Sequence, residues 1–206
     1  MEFLTVVFLH FFAVASPGPD FILVTRQSVG RGRRAAVLTS LGIAIGIIFH
    51  SLAAITGLTF IITSQPFIFL CLKVSASLYL FYLGFMSIVQ ITTKVNSSKN
   101  QDSKELNSFF IGLITNALNP KAIIFFITLF SVILESTTPV MLLIVYGLYM
   151  SLATFLWFVA ISYIFTNTNL TNRYLHLLPG FEKIIGVILI IIAVQILIYE
   201  IPNLYG

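Results

Sequence analysis

The sequence predicts an all-α, polytopic membrane protein whose six transmembrane helices form a 3+3 inverted repeat, with broken helices in spans 1 and 4. Three observations predict it. The chain is too apolar to cover itself in water, its basic residues gather on alternate connectors, and a proline followed by a charged residue recurs at an offset of 101 residues.

Of 206 residues, 58% are hydrophobic and 9% are charged, against about 25% charged in soluble domains. Mean hydropathy is +1.03, so a water-exposed globule is excluded for want of polar surface. A β-barrel would need short segments of alternating polarity. Runs such as VILIIIAVQILIY (Val187–Tyr199) are continuous instead, and the spans are therefore helical. At about 20 residues per span, they fall at 3–24, 38–63, 66–91, 109–133, 139–165 and 184–200. They make one transmembrane domain, 1–206, with repeat halves of about 1–92 and 109–206 and a cytoplasmic linker at 93–108.

The first span holds ASPGPDF (Ala15–Phe21). Pro17, Gly18 and Pro19 break the helix there, because proline lacks a donor and crowds the preceding turn. Ser16 is read as a cap for the restarting helix and as a candidate binding residue. Ala13-Val14-Ala15 resembles a signal-peptidase site, but Glu2 stands where a signal peptide carries positive charge. RQSVGRGRR (Arg26–Arg34) is the first connector.

In the second span, Gly42-x-x-x-Gly46 fits close helix contact. His50 is taken as the only histidine well inside a span, either a proton relay or a packed, hydrogen-bonded ring. In the third, Cys71 is read as packing, since one cysteine excludes paired-thiol chemistry. Lys73 can snorkel to water, and LYLFYLGF (Leu78–Phe85) faces lipid or core. The linker contains the only long polar run, Thr93–Asn107.

The fourth span holds the second break, TNALNPKAIIFF (Thr115–Phe126), with Pro120 beside Lys121. Asn116 and Asn119, three residues apart, share a helix face. They either donate to a carboxylate or satisfy the backbone that Pro120 frees. ESTTP (Glu135–Pro139) leads to the fifth span, and Thr166–Lys183 is read as the connector to the sixth. Gly46 and Gly147 repeat the offset of 101, and HSLA (His50–Ala53) matches MSLA (Met150–Ala153) at 100. Three spans per half is an odd number, so the halves run in opposite directions. Secondary transporters built this way place broken helices around a midplane site.

Nine of the eleven Lys and Arg residues lie in the first, third and fifth connectors. Basic loops stay cytoplasmic, which puts both termini outside and explains the pI near 9.3 without nucleic acid. An Asp or Lys at the centre of a membrane helix costs about 2.5–3.5 kcal/mol, and apolar packing does not offset it. Asp20 and Lys121 are thus expected to pair directly when the site is empty, and to clamp the two ends of a zwitterion when it is filled. A fixed ion pair that only orients two helices is the competing interpretation.

SPGPD, GRGRRA (Gly30–Ala35), LGIAIG with His50, LKVSASLYLFYLG and NALNPKAIIFF together resemble the LysE/RhtB family of bacterial amino-acid exporters, in its homoserine/threonine-type branch. The resemblance covers nearly the whole chain. It implies a multi-pass carrier of the bacterial inner membrane that exports amino acids or related small metabolites, driven by the proton gradient, with no cofactor or metal and no enzymatic activity. Its partners would be a small-molecule amino acid, protons and membrane lipid, with a homo-oligomer left open. Asp20, with His50, would couple protons. Ile47 stands where the family often has an acid, and Phe21 where it often has Asn; Ser131-Val132, Ala76 and Ala193 also depart from its pattern. Loss of the acid favours a neutral substrate. The alternatives are a non-transporting membrane scaffold and an exporter of a different small solute. No zinc-protease, nucleophile-elbow or cysteine-pair signature supports an enzyme.

Overall fold

The computed structural model describes residues 2–64, 66–89, 105–133 and 138–200, which are helical apart from short breaks. The helices are α1 (Glu2–Ala15), α2 (Pro19–Arg31), α3 (Arg33–Ser64), α4 (Pro66–Val89), α5 (Glu105–Ala117), α6 (Pro120–Ile133), α7 (Val140–Phe165) and α8 (Thr168–Glu200). Three of them, α3, α7 and α8, are long and apolar enough to cross a membrane. The pairs α1–α2 and α5–α6 each qualify as one broken span, bent by 55° in both cases, which gives five. In α4 the described apolar stretch, Lys73–Val89, is shorter.

Both breaks fall where proline was expected to put them. Pro19 opens α2 and Pro120 opens α6, positions where the missing N–H costs nothing and the fixed φ suits a helix start. Two expected connectors are mostly helix. Arg26–Arg31 belongs to α2 and α3 resumes at Arg33, so the turn is Gly32 alone, at φ +84°. Only glycine takes that conformation without steric cost. The stretch expected to connect spans five and six is the first half of α8, started by Asn167, whose side-chain oxygen accepts from the N–H groups of Asn169 and Leu170. Its polarity marks exposure rather than irregular backbone, and Pro179 lies within the helix. Most of the expected linker and ESTTP lies outside the described residues.

Helix α3 packs against α5 and α7, α4 against α8, and α2 against α3 and α7. In lipid, apolar side chains gain little by leaving one hydrocarbon for another, so close backbone approach and interhelical hydrogen bonds carry more of the association. Glycines supply the approach: Gly42 faces the main chain of Phe109, Gly112 that of Thr39, and Gly84 and Gly186 face each other. Hydroxyls supply the bonds, Thr39 Oγ1 donating to Ser108 O at 3.1 Å and Ser151 Oγ to Ala44 O at 2.7 Å. One core cluster, with Val6, Leu9, Phe126, Leu129 and Met150, joins α1, α3, α6 and α7. Another, with Phe21, Val24, Ile43 and Phe158, joins α2, α3 and α7. Leu78, Phe81, Tyr82 and Phe85 are exposed, as a lipid-facing surface requires. Cys71 is exposed as well, not packed as expected. The α4 periodicity turns it to the same outer surface.

Candidate functional site

The two helix breaks meet. The carbonyl of Ser16 lies at the end of α1, beyond which Pro17 and the extended Gly18 interrupt the ladder. Helix ends leave carbonyls without an intrahelical partner and carry partial negative charge. Lys121 answers that need from the other half: its Nζ donates to Ser16 O at 2.7 Å. Gly18 makes room for it, since a Cβ there would stand 3.2 Å from Lys121 Cδ.

Asp20 sits in the first turn of α2, where the helix dipole favours an anion. Its Oδ2 accepts from Asn116 Nδ2 at 2.8 Å and from Asn119 Nδ2 at 3.0 Å. Both asparagines belong to the second break. Asn119 also caps α6, its Oδ1 accepting from the Lys121 N–H at 3.0 Å. The two roles left open for this residue are therefore both filled. Each half thus docks its charge on the break of the other half.

The expected direct pair between Asp20 and Lys121 does not form. No hydrogen bond or ion pair joins them among the described residues; the carboxylate takes the side-chain amides of Asn116 and Asn119, and the ammonium takes the carbonyl that ends α1. Asp20 Oδ1 is buried without a hydrogen-bond partner, as is Asn116 Oδ1. A carboxylate oxygen in that position is an open acceptor.

Asp20, Lys121, Asn119 and Ser16 all line one cavity of about 50 Å³, with room for about three or four water molecules. Gly18 lines it too, and Phe21 and Ile47 add apolar surface. Asn116 stands behind Asp20 rather than on the cavity wall. Ser16 differs from its expected capping role. The N-cap of α2 is Gly18, with no side-chain cap, and Ser16 Oγ shares a 3.2 Å hydrogen bond with Ser87 Oγ of α4.

His50 is also outside the cavity wall. Its Nε2 shares a 2.9 Å hydrogen bond with Asn116 O, and its ring stacks on Phe126 at 5.8 Å. It touches the site through Asn116. The histidine that does line the cavity is His10, mid-way along the first span, so His50 is not the only histidine well inside one. His10 is 3% exposed, and its Nε2 shares a 3.0 Å hydrogen bond with Thr154 Oγ1 of α7. A polar ring inside an apolar helix was the available signal; Thr154 had none, since threonines are common in membrane helices.

The arrangement places an unpartnered carboxylate oxygen and an ammonium on one cavity between the two helix breaks. The profile of the LysE type translocator family matches residues 11–200. The chain is 31% identical over 192 residues to a threonine efflux protein of Escherichia coli K12, covering 90% of this chain and 92% of that protein. It is 30% identical over 192 residues to a threonine efflux protein of Salmonella typhi, with the same coverage. A leucine efflux protein of Salmonella choleraesuis is 30% identical over 129 residues, 62% of this chain and 61% of that one. No solved structure matches the chain. The chain belongs to the LysE type translocator family.

Proposed function

We propose that this LysE-family protein exports small neutral amino acids from the bacterial cytoplasm across the inner membrane, coupled to proton influx, by alternating access to the site between the two helix breaks. The observation that carries the proposal is the convergence of Asp20 and Lys121 on one cavity, with Asp20 Oδ1 unpartnered and Lys121 Nζ on a main-chain carbonyl. The substrate ammonium binds Asp20 Oδ1. Its carboxylate draws Lys121 off Ser16 O, which enlarges the cavity and releases the strap across the first break. Loosened, the half-helices pivot and the site changes sides.

Threonine and leucine efflux by relatives supports an amino-acid cargo. Ile47 and Phe21 on the cavity wall, in place of the acid and the Asn that the family often has, support a neutral one. The equal 55° bends support the inverted repeat, in which α4 serves as the third span and brings the number to six. Arg33 bonds Thr166 Oγ1 and lies 4.1 Å over the Tyr163 ring. This brings the first and fifth basic connectors together, which supports one cytoplasmic side and termini outside. Asp20 carries the coupling proton, and His50, which bonds the main-chain carbonyl of Asn116, holds the turn that positions the Asp20 partner.

Purified protein in proteoliposomes, loaded with an unlabelled neutral amino acid, should take up the labelled form by counterflow, and an imposed pH gradient should change the rate. Asp20→Asn and Lys121→Gln should each abolish uptake while still inserting. Counterflow surviving in either variant removes that residue from the mechanism, and none from folded wild type across an amino-acid panel removes the amino-acid cargo.

A further inference from the structure

We propose that the His10–Thr154 pair reads the side chain of the substrate, selecting short side chains that carry a hydroxyl over apolar ones of the same shape. The inference rests on the amino-acid reading above, and deepens it by assigning the polar pair on the cavity wall that the charges do not explain.

Phe125, Phe126 and Phe158 also line the cavity, and the His10 ring lies 6.3 Å from that of Phe125. His10 is 3% and Thr154 1% exposed, so each must find its hydrogen bond inside the protein, and they find it in each other. The choice is unusual for α7. Ser151 and Ser162 on the same helix turn their hydroxyls to main-chain carbonyls, Ala44 O and Val159 O. Thr154 instead reaches a side chain 144 residues away, on the helix whose end carries the clamp.

His10 and Thr154 share one cavity wall with Asp20 and Lys121, so a substrate held by its charged groups presents its side chain in the cavity that the pair lines. The site is also built to exchange partners. A hydroxyl donates and accepts, so one entering between His10 and Thr154 can satisfy both. A methyl in its place leaves the pair closed on itself. The difference is one net hydrogen bond, which corresponds to about tenfold in affinity.

The test is competition in proteoliposomes between L-threonine and L-valine, which differ by a hydroxyl for a methyl, with initial counterflow rates giving their ratio. Wild type should favour threonine about tenfold. Thr154→Val should bring the ratio close to one, and Thr154→Ser, which keeps a hydroxyl, should restore it. A purely structural Thr154 would scale both substrates together and leave the ratio alone, and that result overturns the proposal. So does a wild type that carries both equally, or one that carries other amino acids and neither of these. Should Thr154→Val not fold, His10→Met is read the same way: loss of the ratio supports the assignment, and its retention overturns it. Wild type that carries no amino acid at all refutes the cargo first and this selectivity with it.

Discussion

Gly46→Ala should impair transport although residue 46 does not line the cavity. A Cβ at Gly46 would overlap Asn116 Oδ1 and stand 3.0 Å from Asn116 Cβ and Cγ. Real side chains do not approach so closely, and the obstruction involves the stem of Asn116 as well as its tip. Either Asn116 rotates or α3 and α5 separate, and separation is resisted by Gly42 and Gly112 on the same interface. Rotation withdraws the 2.8 Å bond from Asn116 Nδ2 to Asp20 Oδ2. A hydrogen bond to a charged group contributes about 1.5–3 kcal/mol, so the site should weaken by about tenfold to a hundredfold. The assay is concentration-dependent counterflow in proteoliposomes, with thermal unfolding in detergent alongside. Gly57→Ala is the control, because it lies on the same helix and an added Cβ there meets nothing within 4 Å. Wild-type transport by Gly46→Ala would refute the claim that Asn116 must be in its observed rotamer to hold Asp20.

Two further predictions follow from the packing. Asn119→Ala loses both the bond to Asp20 and the cap on α6; caps alone contribute about 1 kcal/mol, so it should lower the unfolding temperature more than Asn116→Ala, and equal shifts would count against the cap. Gly186→Leu places a branched side chain against the Gly84 carbonyl and Ile88, and overpacking costs about 1–3 kcal/mol. It should lower the unfolding temperature by several degrees, while an unchanged midpoint would mean that α4 and α8 can part freely.

Much of the site was legible because proline and charge act locally. A proline dictates its own φ and lacks its own donor wherever the chain goes, so the breaks at Pro19 and Pro120 could be placed from the sequence. An Asp and a Lys inside apolar spans announce themselves by their desolvation cost. The expected loops at Arg26–Arg34 and Thr166–Lys183 were not loops, because polarity reports exposure and an exposed helix is as polar as an exposed turn. His10 carried the same signal, a polar ring among apolar neighbours, but the partner that gives it meaning is on α7.

The sequence by itself determined that this is a helical membrane protein, where its first and fourth spans break, and that Asp20 and Lys121 need partners. It could not say which partners. Asn116 and Asn119 reach Asp20 across 96 and 99 residues, Lys121 reaches Ser16 across 105, and His10 reaches Thr154 across 144. Those pairings join α2 to the α5–α6 break, the end of α1 to α6, and α1 to α7, between helices far apart in sequence, and nothing periodic along the chain encodes them. Asp20 and Lys121 were each expected to take the other. The tertiary structure gave the carboxylate to two amides and the ammonium to the Ser16 carbonyl, since the second break aims Asn116 and Asn119 at Asp20 and the first leaves a helix-end carbonyl in need of a donor.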